Sequence, residues 1–214
     1  MMPMERITEQ TLHALRARVT QGLSPYRAAH TLGVEEMTAR LAALYAPDDA
    51  LWLRAAALLH DITKEQSDEA QLVLLARHGI ALRPDEAATP KIWHAITAPL
   101  YIADNLPEFA LPPLLSAVRW HTTGREGMTL SEAILYLADY IEEGRSFADC
   151  VALRKAFWGA DPAAMDTAAR NAHLLSILVR SLEMTLADIG KSGGTACLDT
   201  LAAAEELKKK TTLV

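Results

Sequence analysis

An all-α protein of about eight to ten helices is what the sequence predicts, and three observations predict it. Helix-start signals recur along the chain, and apolar residues return at three- and four-residue steps. No window alternates apolar and polar residues between hairpin turns. Ser24-Pro25, Thr89-Pro90 and Asp161-Pro162 each read as an N-cap followed by proline in the first turn, where its missing N–H is no loss. Leu51, Ala55, Leu58, Leu59 and Ile62 form one helical stripe. Ser67 precedes Asp68 and Glu69, whose charges suit the positive end of a helix dipole, and Gly79 after Arg77-His78 reads as a stop. Thr129 and Glu132 make a capping box ahead of a helix whose apolar face is Ile134, Leu137 and Ile141. After the weak stretch Gly190 to Gly194, a short helix closes the chain, and Lys208-Lys209-Lys210 reads as its C-terminus or a frayed tail. No repeat or domain boundary interrupts the pattern. Residues 1–214 read as one domain, with a core over roughly residues 8–189 and a C-terminal helix and tail over 195–214.

Bulk properties exclude several classes. With 214 residues, half of them apolar and 22% charged, the chain has the composition of a folded domain. A formal charge of −6 argues against a general nucleic-acid binder. An anionic substrate would therefore rely on local Arg, Lys and metal charge. Cys150 and Cys197 lack metal-type spacing and are too few for a disulfide framework, which fits a reducing cytoplasm. The first residues lack an apolar signal region, and no run approaches ~18 apolar residues, so no membrane partner is expected.

Histidines and acids then fall into an ordered series: His30, the pair His60-Asp61, His94, His121 and finally Asp139. Imidazoles and carboxylates together suit a borderline transition metal, and a shared carboxylate can hold two ions. Neighbours on a helix project ~100° apart, so His60 and Asp61 grip one ion only from a wedge completed by other helices. Singly, each has an ordinary explanation as a core histidine with a backbone partner or a solvated helix-end pair. Jointly, six nearly buried titratable residues in one small helical protein make a purely structural reading costly. His13, His78 and His173 stand outside the series and read as surface or packing residues, and Glu142-Glu143 as a solvated helix end. Trp52, Trp93, Trp120 and Trp158 read as core.

Cations and donors recur beside these positions. Arg27 precedes His30 by three residues, and Lys64 follows Asp61 by three, which places each on a shared helical side. Thr122, Gly124 and Arg125 follow His121 in one loop, and Arg145 follows Asp139 by six. Hydroxyls, a glycine and guanidinium groups can donate to phosphate oxygens, although each alone is as readily a solvated surface group.

The order His30, His60-Asp61, His94, His121, Asp139 resembles the HD-domain superfamily of metal-dependent phosphohydrolases. More narrowly, the segments around His30, His60-Asp61-Ile-Thr-Lys64, His121-Thr-Thr-Gly-Arg and Leu-Ala-Asp139-Tyr-Ile-Glu-Glu-Gly-Arg145 resemble the YqeK family, over roughly residues 8 to 207. The resemblance implies an all-α HD-domain helical bundle and symmetrical hydrolysis of diadenosine tetraphosphate (Ap4A) to two ADP. It implies a divalent transition metal, iron first and manganese second. His30, His60, Asp61 and Asp139 would hold one ion, and Asp61 would bridge to a second on His94 and His121, a pair that also suits substrate phosphates. Asp61 and Lys64 are the expected catalytic residues. Arg27, Lys64, His94, His121, Thr122, Gly124, Arg125 and Arg145 are expected at the substrate. Gly190 to Val214 is less family-like, so adenine contacts from that stretch stay open, as does a homodimer. Two rivals stand beside this reading: an HD hydrolase of mononucleotides, and a metal- or nucleotide-binding module without turnover.

Overall fold

The computed structural model describes residues 7–212; the first six and last two positions of the 1–214 span lie outside the described residues. Within them the chain is helical, with no strand. The helices are α1 (Glu9–Gln21), α2 (Pro25–Tyr45), α3 (Ala50–Leu59), α4 (Asp68–Arg77), the single turn α5 (Pro84–Ala87), α6 (Trp93–Asn105), α7 (Pro112–Trp120), α8 (Leu130–Ile141), α9 (Ala148–Gly159), α10 (Thr167–Lys191) and α11 (Leu198–Thr212). Among the described residues, no helix is long and apolar enough to cross a membrane.

Local chemistry starts most of these helices where expected. Ser24 and Ser67 accept hydrogen bonds from Arg27 N and Ala70 N, and Thr129 and Glu132 close a reciprocal capping box. Gly79 ends its helix with φ +66°, a conformation glycine adopts without a Cβ clash. Two expected starts differ. Pro90 opens a 3-10 turn leading into α6, while Thr89 turns its hydroxyl back to Asp85 O. Asp161-Pro162 caps nothing: Asp161 has φ 54° in the turn after α9, and Asp166 caps α10 through Ala169 N. An aspartate tolerates the left-handed region, so its cap-like sequence serves a turn instead. The lysine run is paired on α11, with Lys209 and Lys210 each meeting a glutamate four residues earlier.

Helix α3 is the centre. Trp52, Leu53 and the run Ala55 to Leu59 are all buried, so apart from Arg54, which pairs with Glu9 and Glu35, this helix is apolar well beyond one stripe. Three consecutive alanines permit close approach, and α3 packs on α1, α2, α7 and α8. Helices α6 and α7 pack together beside it, α2 also packs on α8, and α10 carries α9 and α11. Thus His30 in α2, the end of α3, the start of α6, the end of α7 and Asp139 in α8 converge on one point.

Candidate metal centre and its cavity

His60, Asp61 and Lys64 lie on a turn that continues past the end of α3, not on a regular helix. His60 is fully buried, and His30, Asp61, His94 and His121 are nearly so. Asp61 is the hub. Its Oδ2 lies 3.7 Å from His30 Nε2 and 3.4 Å from His60 Nε2. Its Oδ1 lies 3.2 Å from His94 Nε2 and 3.7 Å from His121 Nε2. Asp139 Oδ1 completes the first group, 3.0 Å from His30 Nε2 and 4.0 Å from His60 Nε2. One carboxylate therefore faces two imidazole pairs, one with each oxygen.

The outer ring nitrogens are held from behind. His60 Nδ1 donates to Ala57 O at 2.6 Å and His121 Nδ1 to Val118 O at 2.6 Å, each carbonyl lying at the C-terminal end of its own helix. His30 Nδ1 donates to Glu142 Oε1 at 3.2 Å. Such partners fix the tautomer and direct Nε2 inward. Glu142 is a correction to the sequence reading: it is buried on His30, not a solvated helix end. The legible signal was Gly33, a mid-helix glycine three residues after His30, where a β-carbon would overlap the Glu142 carboxylate.

The buried Nε2 atoms of His30 and His60 have no hydrogen-bond partner, and buried polar nitrogens are rarely left so. His30, His60 and Asp139 present donor atoms within reach of one ion, as do His60, Asp61 and His121. Separations of 3.0–4.0 Å between donors are those of neighbouring ligands each about 2.0–2.2 Å from a shared ion. The donor set thus fits a divalent metal of the imidazole- and carboxylate-binding class.

Titration behaviour follows the packing. Burial pushes the His94 and His121 imidazoles down toward the neutral form that ligates metal. Burial opposes a charged His30 as well, but the Asp139 and Glu142 carboxylates beside its ring prevail and push it up to about 9. Burial favours protonated Asp61 and Asp139; the histidines around Asp61, and Arg145 with the histidines around Asp139, outweigh it and hold both well below the usual carboxylate range. Burial also lowers the Lys64 ammonium.

Charged and polar groups surround the cluster. Arg27 pairs with Asp61 Oδ2, and Arg145 Nη2 donates to Asp139 Oδ1 at 2.5 Å. Lys64 Nζ lies 3.0 Å from His94 Nδ1 and donates to Lys91 O at 3.2 Å. Thr122 Oγ1 is 3.1 Å from His94 Nε2 and 2.9 Å from His121 Nε2. All these side chains line one cavity of about 410 Å³, together with Tyr26 and Phe147. A second cavity of about 290 Å³ adjoins it through Lys91, Thr122 and Thr185, and is lined by Ile92, Ile189 and Cys197 among others.

Two expected substrate residues are elsewhere. The Arg125 guanidinium forks onto buried Glu132 with contacts of 3.1–3.2 Å, and Gly124, at φ +63°, packs toward Met128 and Ala203 of α11. The loop after His121 turns away once Thr122 has contributed its hydroxyl. An unpaired buried Glu132 would be more costly than an exposed arginine, so Arg125 goes there. Sequence reasoning also missed Tyr26 and Phe147; the available signal was their position beside Arg27 and two residues after Arg145. His13 and His78 are exposed, the latter on Asp104, and His173 stacks on Phe157.

The HD domain family matches residues 27–144, more than half of the chain and the whole span from Arg27 to Asp139. The chain belongs to the HD-domain family, within the branch called YqeK. It is 34% identical over 139 residues to a protein of Bacillus subtilis named symmetrical bis(5'-nucleosyl)-tetraphosphatase, covering 65% of this chain and 73% of that one. Proteins of the same name from Halalkalibacterium halodurans and Staphylococcus aureus are 34% and 31% identical over 58% and 55% of this chain, and 65% and 59% of theirs. A solved HD superfamily hydrolase of Clostridium acetobutylicum, described as involved in NAD metabolism, superposes with a TM-score of 0.79 at 26% identity, over 92% of this chain and 97% of that one.

Proposed function

We propose that this protein hydrolyses Ap4A and related dinucleoside polyphosphates at the central anhydride, giving two ADP. The observation that carries the reading is Asp61, whose two oxygens face separate imidazole pairs inside a cavity rimmed by Arg27, Lys64, Thr122 and Arg145. The relatives' shared name supports the substrate. Two ions sharing Asp61, iron first and manganese second, would withdraw charge from the phosphoryl oxygens and lower the pKa of water.

His30, His60 and Asp139 would hold one ion with Asp61, and His94 and His121 would hold the other. Water oxygen bonds to one middle phosphorus and gives up a proton to solvent, the bridging P–O bond breaks, and the bridging oxygen leaves with the second ADP. Lys64, its ammonium beside His94, stabilises charge on the phosphoryl group in transfer. Arg27 and Arg145 hold the outer phosphates, and Thr122 orients an oxygen between His94 and His121. The adjoining cavity, with Ile92 and Ile189 on its walls, receives one nucleoside. The two free thiols, both buried, support a cytoplasmic location.

The test is to incubate metal-loaded protein with Ap4A and separate the nucleotides, with NAD and mononucleotides as comparison substrates. Two ADP per Ap4A is the expected result, lost in Asp61→Ala along with bound metal while helicity persists. AMP plus ATP, or turnover of mononucleotides alone, would overturn the reading.

A further inference from the structure

A dinucleotide cut at its centre has a nucleoside equally far from the cleaved bond on both sides, so the cluster must be flanked by two nucleoside subsites. The adjoining cavity supplies one. It meets the cluster through Thr122, on the side of His94 and His121 and the Oδ1 oxygen of Asp61. The other side, formed by His30, Asp139 and Asp61 Oδ2, carries Arg27 and Arg145. Tyr26 and Phe147 line the same cavity as those arginines.

Both rings are unusually open. Tyr26 is 71% exposed and Phe147 60%, and the other large apolar side chains exposed among the described residues are aliphatic. Neither ring packs on the hydrophobic core. Each is tied in sequence to an arginine that reaches a cluster carboxylate: Tyr26 directly precedes Arg27, whose guanidinium lies 5.8 Å from its ring, and Phe147 follows Arg145 by two residues. Tyr26 sits in the first turn of α2, and Phe147 sits at the N-cap of α9, so both are carried on helix starts. An aromatic face presented to water beside phosphate-binding arginines is a platform on which any base can stack.

We infer that Tyr26 and Phe147 form an open aromatic lip that stacks the second nucleobase of the substrate, making the two halves of a symmetrical substrate bind unlike subsites. This rests on the dinucleoside polyphosphate reading above. The lip selects two-nucleoside substrates over those with one, and it tolerates different bases because stacking reads no hydrogen-bond pattern.

The experiment compares wild type, Tyr26→Ala, Phe147→Ala and the double variant on Ap4A and on adenosine 5'-tetraphosphate, which has a single nucleoside. Each single variant is expected to raise KM for Ap4A about tenfold with kcat nearly unchanged, the loss of one base–ring stack. KM for adenosine 5'-tetraphosphate should stay put, and Tyr26→Phe with Phe147→Tyr should behave as wild type. Equal losses on both substrates, or none on either, would overturn the lip. Wild-type protein that makes no ADP from Ap4A would instead remove the underlying reading, a result visible before any variant is tested.

Discussion

Glu142 accepts a hydrogen bond from His30 Nδ1 at 3.2 Å, and this contact turns His30 Nε2 toward Asp139 Oδ1 at 3.0 Å. Gly144 N also donates to Glu142, at 2.5 Å, so the chain just past α8 grips the carboxylate that orients a donor on α2. The absent side chain of Gly33 is what lets that carboxylate in.

Removing this support should weaken metal binding without removing a ligand. Glu142→Ala is expected to lower metal affinity about 10–100-fold, the usual cost of losing a partner behind a ligating histidine. Gly33→Ala should do the same by displacing the carboxylate, although alanine favours the helix itself. Metal titration by calorimetry checks both, and unchanged affinity in the pair would contradict the orienting role.

Lys64 is expected to act on the reaction more than on binding. Its ammonium is partly desolvated beside His94, where a charge is worth more than in water. Lys64→Met should reduce kcat about 10²–10³-fold. Single-turnover hydrolysis of Ap4A measures this, and a change confined to KM would assign Lys64 to uniform binding instead.

In metal-free protein, pH should reveal the His30 cluster. With its folded pKa raised to about 9 from an ordinary 6.5, His30 contributes stability that is fully present below about pH 6.5. That contribution is lost as pH rises through about 9. Melting temperatures of chelator-treated wild type and His30→Asn should therefore differ most at the acid end and converge by about pH 9. A gap that widens with rising pH would reverse the assignment.

Helix α3 should be the most sensitive to truncation. Leu58 is fully buried at the centre of the bundle, and Leu58→Ala is expected to cost about 2–5 kcal/mol. Urea denaturation checks this; a loss under about 1 kcal/mol would mean the centre can collapse around the gap.

Much of this was legible along the chain. Ser24, Ser67 and the Thr129–Glu132 box marked helix starts because a cap is made by residues three apart, wherever the helix later packs. Asp161-Pro162 misled for the same local reason: the dipeptide suits a turn as well as a cap, and the turn won. The donors His30, His60, Asp61, His94, His121 and Asp139 stood out as titratable residues in apolar helical runs, where isolated burial is costly.

Local residues were thus enough to specify an all-helical chain and the kinds of donor it carries. Packing between helices far apart in sequence chose the rest. It brought α2 and α8 together so that Glu142 went inward, gave each oxygen of Asp61 its own imidazole pair, and drew Arg125 onto Glu132 while Thr122 stayed at the cluster. The physical reason is range: a cap or an apolar stripe is settled within a few residues, whereas the direction of a buried polar side chain depends on whichever distant partner satisfies it.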